Sequence, residues 1–501
     1  MTLKSILAAS LVAMAPALTA WSAPQASNEF ASMYENLPFE MPVVERPVIP
    51  DYTVSIKDFG GVNDGKTKNT EAFAKAMAHL AQKGGGHLVV PEGIWYTGPI
   101  VMESNVDLHL MTGSLILFSE DLSDYPVTPS FWEGNSAHRC QSPLSANGKT
   151  NISVTGNGTI NGNGNAWRPV KKMKMTSGQW SALTAGGALG SKGDVWYPNE
   201  SVKTVSENLS MVKRAEQQPD NKALWDSIHD FLRPVLVGFV SCKNVLLEGP
   251  CFENSPAWNI HPMLCENLII NNITVRNPWY AQNGDGLDAE SCKNVIVSNC
   301  KFDVGDDAIC IKSGKDKEGR DRGVPCENVI IEGCTVYHGH GGFVIGSEMS
   351  GGARNISIRN SVFIGTDCGL RFKSARGRGG VVEKIWVDGI KMVNIDGDAF
   401  TFDLYYGGKG EATMMPVTEE TPSFRDITVT NTICRGAKRA MFFNGIPEMP
   451  VMNLYVGNST FDADKGAILN YVDTITLDNV TINAVDGDPI ETNHVNGLVI
   501  K

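Results

Sequence analysis

The chain has 501 residues, of which 20% are charged and 42% apolar, with a formal net charge of −12. That balance describes a soluble globular protein and excludes nucleic acid as a partner, because phosphate binding needs a dense basic surface. An acidic ligand stays open only where Lys and Arg are gathered locally.

The N-terminus reads as an export signal. Lys4 is the sole charge before an apolar, alanine-rich run from Ile6 to Ala20, and Ala20 and Ala23 offer cleavage points. Pro16 breaks the run short of the roughly 20 residues a membrane span needs, and no later stretch is apolar enough to serve. The expected organisation is a leader over 1–23, an N-terminal extension over 24–53 and one domain over 54–501, exported to the periplasm or beyond. The 51 glycines point to many turns. Eleven cysteines in an exported chain suggest disulfides, yet the count is odd. Cys242, Cys265, Cys292 and Cys326 each precede a similar motif by the same offset, so a ladder of buried thiols is the simpler reading.

From Val54 to Val90 the text reads strand, turn, helix, turn, strand. Phe73, Met77, Leu80 and Ala81 recur at helical spacing, and Gly84, Gly85 and Gly86 end the helix. One amphipathic helix ahead of a long β region suits a lid on the open end of a β stack. The segment FGGVNDGKTKNTEAF also resembles the N-terminal segment of pectin-degrading β-helix proteins.

A hexapeptide then recurs: polar, aliphatic, any, aliphatic, any, Gly or Asn. It opens at Asn151, Asn244, Asn267, Asn294, Asn328, Asn355, Lys384, Asp426, Asn453 and Thr474. Aliphatic residues two apart face one side of a strand, and the closing Gly or Asn suits a left-handed turn. Spacings between copies are too irregular for a helical solenoid but natural for a parallel β-helix with loops of different length. A β-sandwich would show alternation without so long a shared motif. Residues 166–235 stand outside the pattern, with WRPVKKMK at the start and Leu224, Ile228 and Leu232 every four residues near the end. They read as a loop wall over a cleft. The rungs after Asp473 close the stack.

A second strand column places Leu287 and Ala289, Ile309 and Ile311, Phe343 and Ile345, and Leu370 and Phe372 inward. Aligning those pairs puts Asp285 and Asp307 at the same position on neighbouring rungs, about 4.8 Å apart. Asp306 comes one position earlier, in line with His340. Carboxylates that close repel, which favours a proton on one of them. A protonated acid beside ionised ones is what glycoside hydrolysis uses. Alternation would send Asp306 and Asp307 to opposite faces, so a bend after Gly305 is needed. Asp-Gly pairs alone are turn formers, and Leu287 sits where a calcium loop would need oxygen. The convergence of three acids and a histidine is what favours chemistry. The outward positions carry Asp288, Glu290, Lys312, Arg371 and Lys373. Arg371, Lys373, Arg376 and Arg378 crowd one segment of an acidic protein, which suits binding of a uronate carboxylate.

NGDGLD, GDDAICIKSG, GHGGFVIGSE and RFKSARGRGG resemble, in order, the four signature segments of the polygalacturonases of glycoside hydrolase family 28. The resemblance implies a right-handed parallel β-helix and hydrolysis of α-1,4-galacturonide bonds with inversion. It assigns Asp306 as general acid, Asp285 and Asp307 as activators of water, and His340 as support for the acid. Arg371 and Lys373, with Lys312, Asp288 and Glu348, are the expected substrate-binding residues. No metal or cofactor is implied, and the expected partner is an acidic polysaccharide. Gly284 and Phe372 stand where many endo-acting members have Thr and Ile. With GSEMSGG, GIPEMP and the insertion, they resemble the exo-acting bacterial branch. The rivals are a rhamnogalacturonan hydrolase, a pectate lyase on the same fold, and a non-catalytic polysaccharide binder.

Overall fold

The computed structural model describes residues 29–408 and 413–501; the expected leader lies outside them. Residues 29–35 belong to a small unit of their own, with the one-turn helix Ala31–Tyr34. Everything from Asn36 to Lys501 is a second unit.

That unit is a right-handed parallel β-helix whose thirty strands pair parallel. The parallel pairing rules out the sandwich. The hexapeptide forms the middle of three strand columns. Its first aliphatic residues lie in register from Ile152 through Val245, Leu268, Val295, Val329, Ile356, Ile385 and Ile427 to Leu454. Inward residues of all three columns share one core, to which the paired residues of the second column also belong.

The repeat is more constrained than its pattern suggests. The closing residue is left-handed in all ten copies, as at Gly156 (φ 97°) and Asn299 (φ 54°). So is the opening one, as at Asn151 (φ 54°) and Asn294 (φ 58°), which the sequence reading did not anticipate. Asn tolerates that conformation better than other residues with a Cβ. It also builds a ladder: Asn151 donates to Asn105, Asn244 to Asn151, Asn267 to Asn244, Asn294 to Asn267, Asn328 to Asn294 and Asn355 to Asn328, at 2.8–3.1 Å.

All eleven cysteines are free thiols, and the four of the column are buried. The Cys242 amide donates to Cys265 Sγ at 3.4 Å. Burial pushes the Cys326 thiol up to about 12.

The helix Thr70–Gln82 buries Ala72, Phe73, Ala76, Met77 and Leu80, all within the shared core. Ala81, expected on that face, is exposed. It lies about 100° round the helix from Leu80, off the edge of the buried stripe.

Middle positions of the hexapeptide point outward, yet Leu246, Ile269, Ile296 and Ile330 are buried. The extension accounts for this. Phe39 stacks on Trp386 at 5.5 Å, and Arg46 reaches Glu248 through two bonds of 2.6–2.7 Å. Seven residues of extended chain reach about 24 Å, the height of five rung spacings of about 4.8 Å, and Trp386 lies five rungs from Leu246 in register.

The insertion is a three-stranded antiparallel sheet with short helices. Its Leu224, Ile228 and Leu232 do face a common cluster with Tyr125, Trp167 and Trp225. The continuous helix their spacing suggested is instead Lys222–Ser227 followed by a 3-10 turn at His229–Phe231. The hairpin of Val127–Trp132 and Asn135–Cys140 is a further departure from the rungs. Its turn residues Glu133 (φ 46°) and Gly134 (φ 84°) are both left-handed, as the tightest hairpin turns require.

Candidate active site

The strand Asp307–Lys312 sits between Leu287–Glu290 and Gly341–Ile345, with Leu370–Lys373 beyond. Asp306 precedes its strand in a bend. Gly305 permits that bend: a Cβ there would stand 2.6 Å from the carbonyl of Pro278 and 2.9 Å from that of Ala281. As a result one oxygen from each of Asp285, Asp306 and Asp307 lies within 4.8 Å of the others. At Gly284 a Cβ would be 2.6 Å from the Ala281 methyl, so the Thr of many endo-acting members does not fit here. Phe372 continues an inner stack with Phe343, Phe400 and Phe402.

The three carboxyl groups differ in setting. Asp306 keeps 22% of its side chain exposed, whereas Asp307 keeps 2%, so Asp306 is the one that can meet a bulky leaving group. Its Oδ1 lies 3.0 Å from His340 Nδ1. The bond to Asp306 raises the His340 pKa above its ordinary value, against the effect of burial. Burial would raise Asp307, but Lys373 Nζ at 2.6 Å and Arg371 at 3.4 Å outweigh it and hold the group well below the carboxylate range. Asp285 goes the other way: burial, then Asp288, Asp306 and Asp307, raise it well above that range. Asp285 Oδ1 is buried with no hydrogen-bond partner among the described residues.

The remaining expected residues divide into two sets. Arg371 and Lys373 line the acid cluster, each with Tyr406 within 6 Å of its charge (5.7 and 4.9 Å). Lys312, Glu348 and Asp288 form a second buried group, near enough for Asp288 to act on Asp285. Lys312 lies 2.9 Å from Glu348 and 3.6 Å from Asp288, with its ammonium 4.7 Å from the Trp258 ring. Burial would raise Glu348, yet the Lys312 charge brings it down to about 2. Burial raises Asp288 well above the usual range. Glu290 is taken by His261 (2.9 Å) and Arg322 (3.1 Å). Arg376 and Arg378, read with the uronate strip, lie past the strand end and are held by Glu448 and Asp316.

Two features escaped the sequence reading. Lys174, in the insertion, brings Nζ to 3.5 Å from His340 Nε2 and from the Gly305 carbonyl; its only sequence signal was the run WRPVKKMK. The hairpin crosses the groove on the Trp258 side of the acids. Trp132 stacks on Trp258 at 5.6 Å, Glu133 pairs with Lys315 at 3.2 Å, and the Gly134 carbonyl accepts from Arg322 at 3.0 Å. Behind it a cavity of about 440 Å³ is lined by Phe131, Ser145, Asn147, Val240 and His261. The groove is therefore walled at that end by the hairpin as well as flanked by the insertion. The segment Trp132 to Asn135 carries a turn signal, but nothing in it says where the hairpin lands.

Comparison with known proteins places the chain among related sequences and structures. The sequence model of the glycosyl hydrolases family 28 matches residues 229–474. A crystal structure of an exopolygalacturonase from Thermotoga maritima superposes with a TM-score of 0.74 at 33% identity, over 88% of this chain and 94% of that one. A probable polygalacturonase of Vitis vinifera is 29% identical over 423 residues, 82% of this chain and 74% of its own. An exo-poly-alpha-D-galacturonosidase of Dickeya chrysanthemi is 27% identical over 386 residues, 75% of this chain and 61% of its own.

Proposed function

This chain belongs to the glycosyl hydrolases family 28, and we propose that it hydrolyses the α-1,4-galacturonide bonds of polygalacturonan from a chain end. The observation that carries the reaction is the cluster of Asp285, Asp306 and Asp307 with Arg371 and Lys373 against it. Asp306, half-buried and bonded to His340, gives the shared proton to the glycosidic oxygen as the bond to C1 breaks. A water adds to C1 and loses its proton to the Asp285–Asp307 pair. Asp285 Oδ1, with no partner among the described residues, orients that water. In the resting site Lys373 and Arg371 neutralise Asp307. An arriving galacturonate carboxylate competes for both cations, which frees Asp307 to act as a base when substrate is in place.

Inverting hydrolases usually separate acid and base by about 6.5–9.5 Å to admit the water. Here the oxygens are within 4.8 Å, so the water lies alongside Asp285 and Asp307 rather than across a gap. Action from a chain end rests on the hairpin wall at Trp132 and Trp258, which leaves the groove no through passage on that side. An export destination suits a polymeric substrate. Among the described residues no helix is long and apolar enough to cross a membrane.

The test is digestion of polygalacturonan and defined oligogalacturonides, with product mass and anomer followed by mass spectrometry and NMR. One added water per cut, a β-anomer formed first, and a single short product from the earliest time point are expected. An ultraviolet-absorbing unsaturated uronide would instead identify the pectate lyase reading, and binding without turnover the non-catalytic one.

A further inference from the structure

We infer that Lys174 is a substrate-recognition residue contributed by the insertion: it receives the carboxylate of a uronate bound beside the catalytic acid. This rests on the function proposed above. The residue lies outside the stretch matched by the family model, which begins at residue 229. Its position is imposed by the fold. Trp167 is fully buried, and Arg168 is held by Asn165 at 2.7 Å, Asn254 at 2.8 Å and the Ser255 carbonyl, tying the insertion to the rung before the acids. Val170–Lys171 then pairs with Val195–Tyr197, and the Lys172 amide donates to Asp194 at 2.8 Å. The following 3-10 turn leaves Lys171 and Lys172 exposed and turns Lys174 into the cleft.

Among the described residues the ammonium there has no anionic partner. Its two neighbours are the Gly305 carbonyl and His340 Nε2, both at 3.5 Å, and among the described residues no carboxylate comes within ion-pair distance of it. The acids around it are otherwise occupied: Asp306 faces His340 Nδ1, Asp367 lies 3.6 Å from His340 Nε2, and Asp307 is held by Lys373 and Arg371. A half-buried cation next to another cationic group is unfavourable unless an anion completes it. A polyuronate supplies one carboxylate per sugar, and Lys binds it as a point charge.

The experiment compares turnover of trigalacturonate by Lys174→Met, Lys174→Arg and wild type, and their binding of its fully methyl-esterified form. Lys174→Met should raise KM for the free acid about ten- to hundredfold, the scale of one hydrogen bond to a charged group. kcat should change little, Lys174→Arg should recover most of the loss, and the methyl ester should bind each variant as weakly as it binds wild type. Calorimetric binding of trigalacturonate in an Asp306→Asn background should show the same factor without turnover. Equal losses on acid and ester, or an unchanged KM with a displaced alkaline limb of the pH profile, would overturn the assignment and leave Lys174 acting only on His340. A wild-type protein inert towards all galacturonates would sink the parent reading and this one together.

Discussion

At the scale of single residues, the site divides labour between chemically identical groups through their surroundings. Asp306 is the more accessible carboxyl group beside a histidine, and Asp307 is buried under two cations. Asp306→Asn keeps size and hydrogen bonding but removes the transferable proton. Its kcat should fall by about 10²–10⁴-fold or more, with the far-ultraviolet spectrum unchanged; full activity would overturn the role. Lys373→Met tests the neutralising cation. Lys373 lowers the Asp307 pKa, so its removal must raise it, and the acidic limb of kcat/KM should move to higher pH while KM for galacturonate rises. A limb that stays in place would show that Asp307 does not govern it. His340 has the opposite sign. Its pKa is raised, so the proton shared with Asp306 persists above the ordinary value near 6.5 and is lost as pH climbs through the raised one. The acids and the two cations were legible from rung alignment. Their pairing was not, because which cation reaches which carboxylate depends on side-chain reach across rungs.

At the scale of elements, the strands are generic and the turns are specific. Asn294 shows both demands: a left-handed backbone (φ 58°), and hydrogen bonds given to Asn267 at 3.0 Å and received from Asn328 at 3.1 Å. Asn294→Ala loses the bonds and strains the backbone, and should destabilise by about 2–3 kcal/mol. Asn294→Gly keeps the conformation and should cost less. The order of apparent melting temperatures checks this, and an alanine variant as stable as wild type would refute the ladder's contribution. The proposed function makes the hairpin the element that sets where cutting starts. Replacing residues 130–137 by a short Gly-Ser turn removes the Trp132–Trp258 stack and the Glu133–Lys315 pair. Products from polygalacturonan should then spread over many lengths from the first minutes. A single short product retained throughout would show that the wall lies elsewhere, in the insertion that the sequence had singled out.

At the scale of the whole molecule, a protein of net charge −12 must take up a polyanion. The answer is local: Arg371, Lys373 and Lys174 gather round the acids, while the rest of the surface repels. At about 10 mM salt the screening length is about 30 Å and the whole charge is felt; at about 100 mM it is about 10 Å. kcat/KM on the polymer should therefore rise over that range, and rise less on trigalacturonate. A steady fall on both would show that local attraction governs the encounter.

The sequence by itself determined the architecture and the groups that meet in the candidate site. Inward pairs, turn residues and the alignment of four segments depend on a local period, and a parallel β-helix turns that period directly into stacked positions in space. Asp285, Asp306, Asp307 and His340 were found because each rung repeats the last. The tertiary structure alone decided what has no period: the extension lying across the middle column to bury Leu246, Ile269, Ile296 and Ile330, the landing of the hairpin on Trp258, and the arrival of Lys174 beside His340. These are contacts between segments far apart in the chain, fixed by packing and charge at the place of contact. The repeat built the acid cluster; the irregular segments decide what reaches it.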